Sequence, residues 1–506
     1  MSGKTSHADQ AGILVLGRIL ASLAEGLVLL VIVRLLGKPE VGVLSALLLV
    51  YQTVALIMTA GFPAAVMYAL PARPIEERRA IAWRFTSILV GLGLGAGVLL
   101  LGIGWVDHAF PELFGSFKET EEGGSAPSLR YLMLMAIFPL ADLPARILPN
   151  LLVIEDRARA AAGVGIIKSL GMSLATVLPL ALGMDIWAVV AAIDIYGLLY
   201  GGLLISYLMR CYRGVDRVSS PMSVREIFKF AIPLGLTDIV SVINNRIDRY
   251  LILLTMTVAV FAEYQVGAWQ IPFVVTIPYA VGAAYTPRFR ELFKEGLFRE
   301  GIAIWRTSIT KVSLVVAPIT AVFIVAAEET ISLLFTDEYS AATVVFRLYC
   351  IFTLGRVAAF GSVIVAAGKP GYVLKAAFFS LLSNLALSVP LVLLIGFPGP
   401  ALGTALAFIP TVGFYCWCIA RACGISITET FPLMSYLRVL GVAAVAAIPA
   451  VAVKLTLDLD PAWMLALEAL ALLLSYAVIG TLTRVIQAED WAYLRRWLSL
   501  RLGTSS

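Results

Sequence analysis

Charged residues are scarce in this sequence. Asp, Glu, Lys and Arg make up 14% of the 506 residues, 60% are hydrophobic, and the mean hydropathy is +0.92. A soluble domain carries about 25% charged residues, so this composition excludes a soluble globular protein. The apolar runs are roughly 20 residues or longer and do not alternate with polar residues, as the strands of a membrane barrel would. We therefore predict an all-α polytopic membrane protein.

Histidine and cysteine are also rare, with two and five residues respectively, and none is spaced like a metal ligand. The sequence lacks a Walker motif, a Gly-rich phosphate loop, a nucleophile elbow and a paired-carboxylate motif. We predict that the protein is not an enzyme and has no metal, cofactor or nucleic-acid partner, with H⁺ or Na⁺ as candidate coupling ions. The first apolar run is too long for a cleavable signal sequence, so we expect it to stay in the protein.

Hydropathy predicts about 14 transmembrane helices. The predicted spans are residues 11–36, 43–70, 82–106, 130–153, 160–182, 185–210, 228–256, 259–286, 307–327, 342–367, 372–395, 399–422, 436–456 and 462–484.

The charges of the connecting loops alternate along the chain. Segments such as 72–84 and 287–300 are rich in arginine and lysine, whereas 106–124 and 326–339 are acidic. Basic loops stay in the cytoplasm, so we predict that both termini are cytoplasmic. Residues 486–506 have tryptophan and leucine on one side and arginine elsewhere, which predicts an amphipathic tail on the cytoplasmic leaflet.

The two halves of the chain resemble each other at two places. The sequence around Gly42 is similar to that around Gly267, and a later stretch aligns Pro179 with Pro390. Halves of about six spans that start on the same side form parallel repeats, related by a pseudo-two-fold axis along the membrane normal. The predicted domains are a six-helix lobe at 1–212, a cytoplasmic linker at 213–227, a second six-helix lobe at 228–424, two C-terminal transmembrane helices within 425–485, and the tail at 486–506.

The seventh span is the most polar one. A charge near the membrane centre costs roughly 2.5–3.5 kcal/mol, so these side chains must face away from lipid. On a continuous helix, one face about 100° wide collects Asp238, Ser241, Asn245, Asp248 and Arg249. Arg246 lies at the edge of that face. Helical-wheel geometry therefore favours Arg249 over Arg246 as the residue that contacts cargo. This polar face predicts a hydrated cavity. In it, Asn245 and the arginines would bind substrate, and Asp238 and Asp248 would set the electrostatics or couple transport to an ion.

Other spans also contain intramembrane charges. In the first span, Arg18 and Glu25 share a face, and we assign Arg18 to substrate binding and Glu25 to ion coupling. In the fourth span, Asp142 and Arg146 are spaced i,i+4, which predicts a structural ion pair. Pro139, Pro144 and Pro149 predict that this span is kinked or broken.

The remaining intramembrane charges are less clearly functional. Arg356 is close to the repeat equivalent of Arg146 and is a predicted cavity residue. Lys168 is interpreted as snorkelling toward the cytoplasm. Asp194 and Glu468 are isolated and interpreted as structural. Arginines in a cavity suit an anionic cargo such as a diphosphate, because guanidinium matches phosphate oxygens bidentately.

The first span ends in VRLLGKPEVGVLS, the seventh contains FAIPLGLTDIVSVINNRIDRYLI, and a later stretch reads AAGKPGYVLKAAFFSLLSNLALSVPLVLLIGFPGPALGTALA. At these motifs the chain resembles the polysaccharide biosynthesis flippases of the multidrug/oligosaccharidyl-lipid/polysaccharide exporter superfamily, and the last stretch resembles their spans 10–12. The resemblance covers most of residues 10–425. It implies two six-helix lobes that open alternately to each side of a bacterial inner membrane. It also implies a cargo of undecaprenyl-diphosphate-linked oligosaccharide, with a polysaccharide polymerase or glycosyltransferases as partners.

Three hypotheses stay open at this point. The first is the oligosaccharide flippase, in which Arg18, Arg246, Arg249 and Arg356 hold the diphosphate. The second is a cation-coupled multidrug or metabolite antiporter of the same fold. The third is a membrane scaffold without transport. A lipid II flippase is a variant of the first, which the lack of a further arginine between Arg18 and Glu25 disfavours.

Overall fold

The computed structural model describes residues 24, 26–71, 73–110 and 129–492, and this part of the chain contains helices and no strand. The predicted all-α class is confirmed. The first helices are α1 (Gly26–Leu35), α2 (Lys38–Thr59), α3 (Phe62–Ala69), α4 (Ile75–Ala109), α5 (Tyr131–Leu134), α6 (Phe138–Ala145), α7 (Leu148–Ile154), α8 (Ala158–Ala181) and α9 (Ile186–Cys211).

The later helices begin after the linker that follows α9. They are α10 (Val224–Asn244), α11 (Ile247–Thr255), α12 (Val258–Gly267), α13 (Pro272–Lys294), α14 (Phe298–Val325), α15 (Ala327–Phe335), a 3₁₀ turn (Asp337–Tyr339), α16 (Ala342–Gly355), α17 (Phe360–Ala366), α18 (Gly371–Ile395), α19 (Gly399–Cys423), α20 (Ile427–Thr430), α21 (Leu433–Thr456) and α22 (Pro461–Leu482).

Ten helical spans among the described residues are long and apolar enough to cross a membrane. They match ten of the predicted spans, namely the second, third, fifth, sixth and ninth to fourteenth. The first predicted span lies largely outside the described residues, and the fourth, seventh and eighth are interrupted. The count of 14 therefore stays a prediction, as does the tail helix, because residues 493–506 lie outside the described residues.

The fourth span is broken into α5, α6 and α7, as its prolines predict. Proline has no backbone N–H and clashes with the preceding turn, so a straight helix cannot continue through it. Pro139 and Pro149 lie in the first turns of α6 and α7, where a missing N–H costs nothing. Asp142 lies in α6 and Arg146 directly follows it, and both side chains contact α2, through Tyr51 and Thr59 respectively.

The seventh span is not the continuous helix that the sequence predicts. α10 ends at Asn244 and α11 begins at Ile247, and Arg246 has φ −126° and ψ −7°, outside the helical region. The prediction of one helix over 228–256 is wrong, and so is the single polar face drawn through it. No proline or glycine marks the break.

The contacts divide the described chain into two units. The first comprises Met1–Val266 with Ala377–Gly403. Its helices approach closely at small residues, since membrane helices pack by shape more than by the hydrophobic effect. A Cβ on Gly93 of α4 would lie 2.7 Å from the carbonyl oxygen of Pro139, so only glycine fits there. This contact fixes α6 against α4.

The second unit comprises Gly267–Ala376 with Thr404–Ser506. In it α21 and α22 pack on α14 through a core that includes Ala317, Val439 and Tyr476. The Tyr476 hydroxyl donates to the carbonyl oxygen of Leu314 at 3.3 Å. The units divide the chain elsewhere than at the predicted lobe boundaries, which stay a prediction.

Candidate functional site

The first unit contains a cavity of about 430 Å³ among α2, α6, α8 and α9 and the start of α11. Its charged and larger polar lining residues are Tyr51, Gln52, Asp142, Arg146, Lys168, Tyr196 and Arg246. Three of these side chains are cations and one is a carboxylate. The cavity is therefore positively charged.

Asp142 is the centre of one polar cluster in this cavity. Its carboxylate is 3% exposed and accepts from the Tyr51 hydroxyl at 2.5 Å. Arg146 Nη2 lies 2.7 Å from Asp142 Oδ2, and Lys168 Nζ lies 3.5 Å from Oδ1. One carboxylate thus serves two cations, because a buried charge is tolerated only where partners satisfy it.

Arg246 forms a second cationic centre with neutral partners. Its Nη1 donates to the Thr53 hydroxyl at 2.9 Å and to the carbonyl oxygen of Leu49 at 3.3 Å. Its Nη2 donates to the Gln52 side-chain oxygen at 3.0 Å. It makes no ion pair with any residue that the structure describes. These contacts to α2 hold the guanidinium at the break between α10 and α11, and no carboxylate of the described residues pairs with its positive charge.

Such an arrangement can bind an anion. Guanidinium groups donate in a planar fork that matches phosphate or carboxylate oxygens, and an ammonium adds a point charge. The Asp142 carboxylate partly neutralises Arg146 and Lys168, whereas Arg246 has no counter-charge within the described part of the chain. An incoming anion would therefore be attracted most strongly to Arg246.

Arg246 is the residue of the predicted seventh span that lines this cavity in the structure. Arg249 is half-buried on α11 and does not line it. The helical wheel favours Arg249 over Arg246 because it assumes a helix that is in fact broken between them. Asn245 is exposed at the end of α10, and Asp238 is exposed on α10. Asp248 is 2% exposed and accepts from the Tyr264 hydroxyl at 3.2 Å.

The other predicted site residues lie elsewhere. Arg356 belongs to the second unit, where its Nη1 donates to the Gln270 side-chain oxygen at 3.4 Å and its guanidinium stacks over Phe352. Arg18 and Glu25 lie outside the described residues. Asp142 and Arg146 do form the ion pair that their spacing predicts.

Sequence analysis assigned no site role to four of the charged and larger polar cavity residues, Tyr51, Gln52, Lys168 and Tyr196. Lys168 does not snorkel away from the bundle but reaches Asp142, so that interpretation is wrong. Tyr51 and Gln52 carry no charge and attracted no prediction. Their signal was weak but present, because Gln52 and Thr53 are adjacent polar residues in the middle of an apolar span.

One charged cluster of the second unit is, in contrast, neutralised by its own members. Lys454 Nζ lies 2.8 Å from Glu329 Oε1 and 3.0 Å from Glu328 Oε2, and Arg347 Nη2 lies 3.0 Å from Glu328 Oε1. The hydrogen bond from Lys454 holds the pKa of the Glu328 carboxyl below its ordinary value, and Arg347 adds to this effect. This cluster therefore has the character of a structural network.

The fold is shared with transporters of known structure. A lipid II flippase, MurJ, in an inward closed conformation superposes with a TM-score of 0.68 at 15% identity, over 94% of this chain and 98% of that chain. A MATE protein in a complex gives 0.56 at 17% identity, over 83% of this chain and 96% of that one. A MOP superfamily transporter from Pyrococcus furiosus gives 0.51 at 16% identity, over 82% and 94%. No curated protein matches the sequence.

These likenesses define the class. The chain is a multi-pass, all-helical membrane protein with the fold of the MOP superfamily transporters. Residues 8–293, more than half of the chain, match the family described as "Polysaccharide biosynthesis protein". The chain belongs to that family, and the resemblance predicted from its motifs is confirmed.

Proposed function

We propose that this protein is a flippase that moves undecaprenyl-diphosphate-linked oligosaccharide from the cytoplasmic to the periplasmic leaflet by alternating access. The product would supply cell-surface polysaccharide biosynthesis, with a polysaccharide polymerase or glycosyltransferases as partners. The membrane would be the bacterial inner membrane, with both termini in the cytoplasm. Family membership and the fold support the proposal.

One observation carries the proposal. Arg246 lines a cavity together with Arg146 and Lys168, and the acceptors that hold it among the described residues are all neutral. A cation without a counter-charge is costly in a membrane protein unless function requires it. A diphosphate group supplies the missing negative charge. We assign the cargo diphosphate to Arg246, with Arg146 and Lys168 completing the site.

A binding experiment tests this assignment. Purified protein is titrated with undecaprenyl-diphosphate oligosaccharide, and the dissociation constant is compared with that of Arg246→Ala. We expect the variant to bind about tenfold to a hundredfold more weakly, because a hydrogen bond to a charged group contributes about 1.5–3 kcal/mol. Arg246→Lys should be intermediate, since lysine keeps the charge and loses the fork.

The matched control is Arg290→Ala, an exposed arginine of α13 outside the cavity. It should bind like the wild type. Equal affinities for the wild type and Arg246→Ala would contradict the assignment. Lipid II, which also carries a diphosphate, serves as a second cargo, and its preferential binding would move the proposal to a lipid II flippase.

A cation-coupled antiporter is the second candidate. It is favoured by Asp238, which is exposed on α10 and makes no ion pair with a described residue. In this function Asp238→Asn would abolish ion-dependent efflux of small cations, while Arg246→Ala would leave it intact. In the flippase, Asp238 and the buried Asp248 are instead our proposed sites of H⁺ or Na⁺ coupling, together with Glu25.

A further inference from the structure

The first unit contains a second, larger cavity of about 800 Å³ where α4 begins and α9 ends. This volume lies within the range of ligand-binding pockets, about 300–1,000 Å³. Four of its lining residues are arginines, and none is acidic. Those that matter here are Arg79, Arg84, Arg213, Arg217, Trp83 and Tyr212. It shares no lining residue with the cavity that contains Arg246.

Two of these arginines shape the cavity. Arg79 Nη1 donates to the carbonyl oxygen of Val215, and Arg84 Nη1 donates to that of Met222 at 2.9 Å. Both bonds tie α4 to the linker that follows α9. Each guanidinium has five N–H groups, so these bonds use only part of its donor capacity. The cavity is thus walled by side chains that are fixed in place and still able to donate.

The charge of this cavity is not balanced by protein carboxylates. The neighbouring Arg73 and Arg78 are paired with Glu77 and Glu155 at 3.0 and 3.2 Å. In contrast, no arginine of the cavity forms an ion pair with a residue in the described part of the chain. The acidic residue of the linker, Asp216, does not line the cavity. Four arginines therefore line one space, and none of its lining residues is acidic.

An apolar surface continues from this cavity along α4. Trp83 and Ser87 line the cavity, and Val90, Leu94 and Val98 follow them at helical spacing on the same face. These three are 37%, 55% and 66% exposed. On α9, Met209 lines the cavity and is 63% exposed, and Leu199 further along is 68% exposed. Such faces contact lipid chains in a membrane-spanning helix.

We infer that this cavity binds the phosphate headgroup of an anionic glycerophospholipid, whose acyl chains lie along the exposed apolar face of α4. The leaflet is the one that the basic loops predict to be cytoplasmic, where anionic lipids attract arginine and lysine. The cavity supplies the positive charge and the donors, and the adjoining helices supply the apolar surface. A lipid satisfies both requirements, whereas a soluble phosphate uses only the first. The inference does not rest on the proposed flippase activity.

Native mass spectrometry of the full chain tests the inference. The protein is released from micelles that contain phosphatidylglycerol or phosphatidylcholine, and retained lipids are counted. We expect selective retention of phosphatidylglycerol. Retention should fall about tenfold in R213Q/R217Q, because each basic residue near anionic lipid contributes to binding. These two arginines are exposed and make no hydrogen bond that holds the linker, so the variant tests binding and not folding.

The matched control is R157Q/R159Q, which removes two exposed arginines from another basic loop and loses the same charge. It should retain phosphatidylglycerol like the wild type. Equal loss in both double variants would show a diffuse charge effect and overturn the inference. So would equal retention of phosphatidylcholine. Displacement of phosphatidylglycerol by inorganic phosphate would assign the cavity to a soluble anion, and displacement by undecaprenyl diphosphate alone would assign it to the cargo.

Discussion

At the scale of single residues, the cations of the candidate site differ in whether a carboxylate lies beside them. Asp142 serves Arg146 and Lys168 at once, and Tyr51 completes its hydrogen bonds. Arg246 is held by uncharged groups of α2. The first arrangement stabilises the fold and orients two cations, and the second leaves a cation available to a ligand. The two arginines of this cavity should therefore respond differently to loss of their partners.

The substitution Asp142→Asn tests whether the ion pairs of Asp142 stabilise the fold. The substitution leaves the Arg146 side chain, which is 15% exposed, without its carboxylate. Breaking a buried ion pair costs about 3–5 kcal/mol, so thermal unfolding in detergent should occur several degrees lower. Glu77→Gln, which breaks the exposed pair with Arg73, should change the midpoint little, since such pairs contribute about 0–1 kcal/mol. Similar midpoints for both variants would show that Asp142 is not structurally important.

At the scale of helices, sequence analysis succeeded where the chemistry is local. Three prolines within eleven residues, Pro139, Pro144 and Pro149, predicted the broken span, whereas a single proline such as Pro179 stays inside the continuous helix α8. The i,i+4 spacing of Asp142 and Arg146 likewise predicted their pair. The break at Arg246 was not predicted. Asn244 and Asn245 are weak helix formers that favour helix ends, but no proline or glycine stands there to enforce a break. The acceptors that bind the Arg246 side chain lie on α2, almost 200 residues away in the chain.

The close approach of helices at glycine residues predicts how glycine substitutions change thermal stability. Gly61, between α2 and α3, has φ +77°, and a Cβ there would lie 2.0 Å from the carbonyl oxygen of Ala231 in α10. Gly61→Ala should therefore lower the thermal midpoint strongly, through both backbone strain and collision. Gly165→Ala on α8 meets nothing within 4 Å and should be neutral or slightly stabilising, since alanine favours helix by about 1 kcal/mol. Similar midpoints for the two variants would contradict this close approach.

At the scale of the whole molecule, composition and the long apolar runs were sufficient for the class, while the orientation that the loop charges predict stays a prediction. Apolar runs of membrane length predicted ten spans that the structure shows, and family membership agrees with the motifs. The full lining of each cavity could not be predicted, because each is assembled from helices distant in sequence. Lys168 illustrates this: its role depends on a partner in another helix. Each cavity lies within one contact unit, so each can be tested by substitutions in that unit alone.

The central claim is that the protein moves a diphosphate-linked oligosaccharide and uses Arg246 to hold it. The most direct measurement is translocation of fluorescent undecaprenyl-diphosphate oligosaccharide in proteoliposomes that contain the purified full chain. We predict transport by the wild type and by Arg290→Ala, and an initial rate at least tenfold lower for Arg246→Ala at limiting cargo. Absence of transport by folded wild-type protein, or an unchanged rate in Arg246→Ala, would contradict the account.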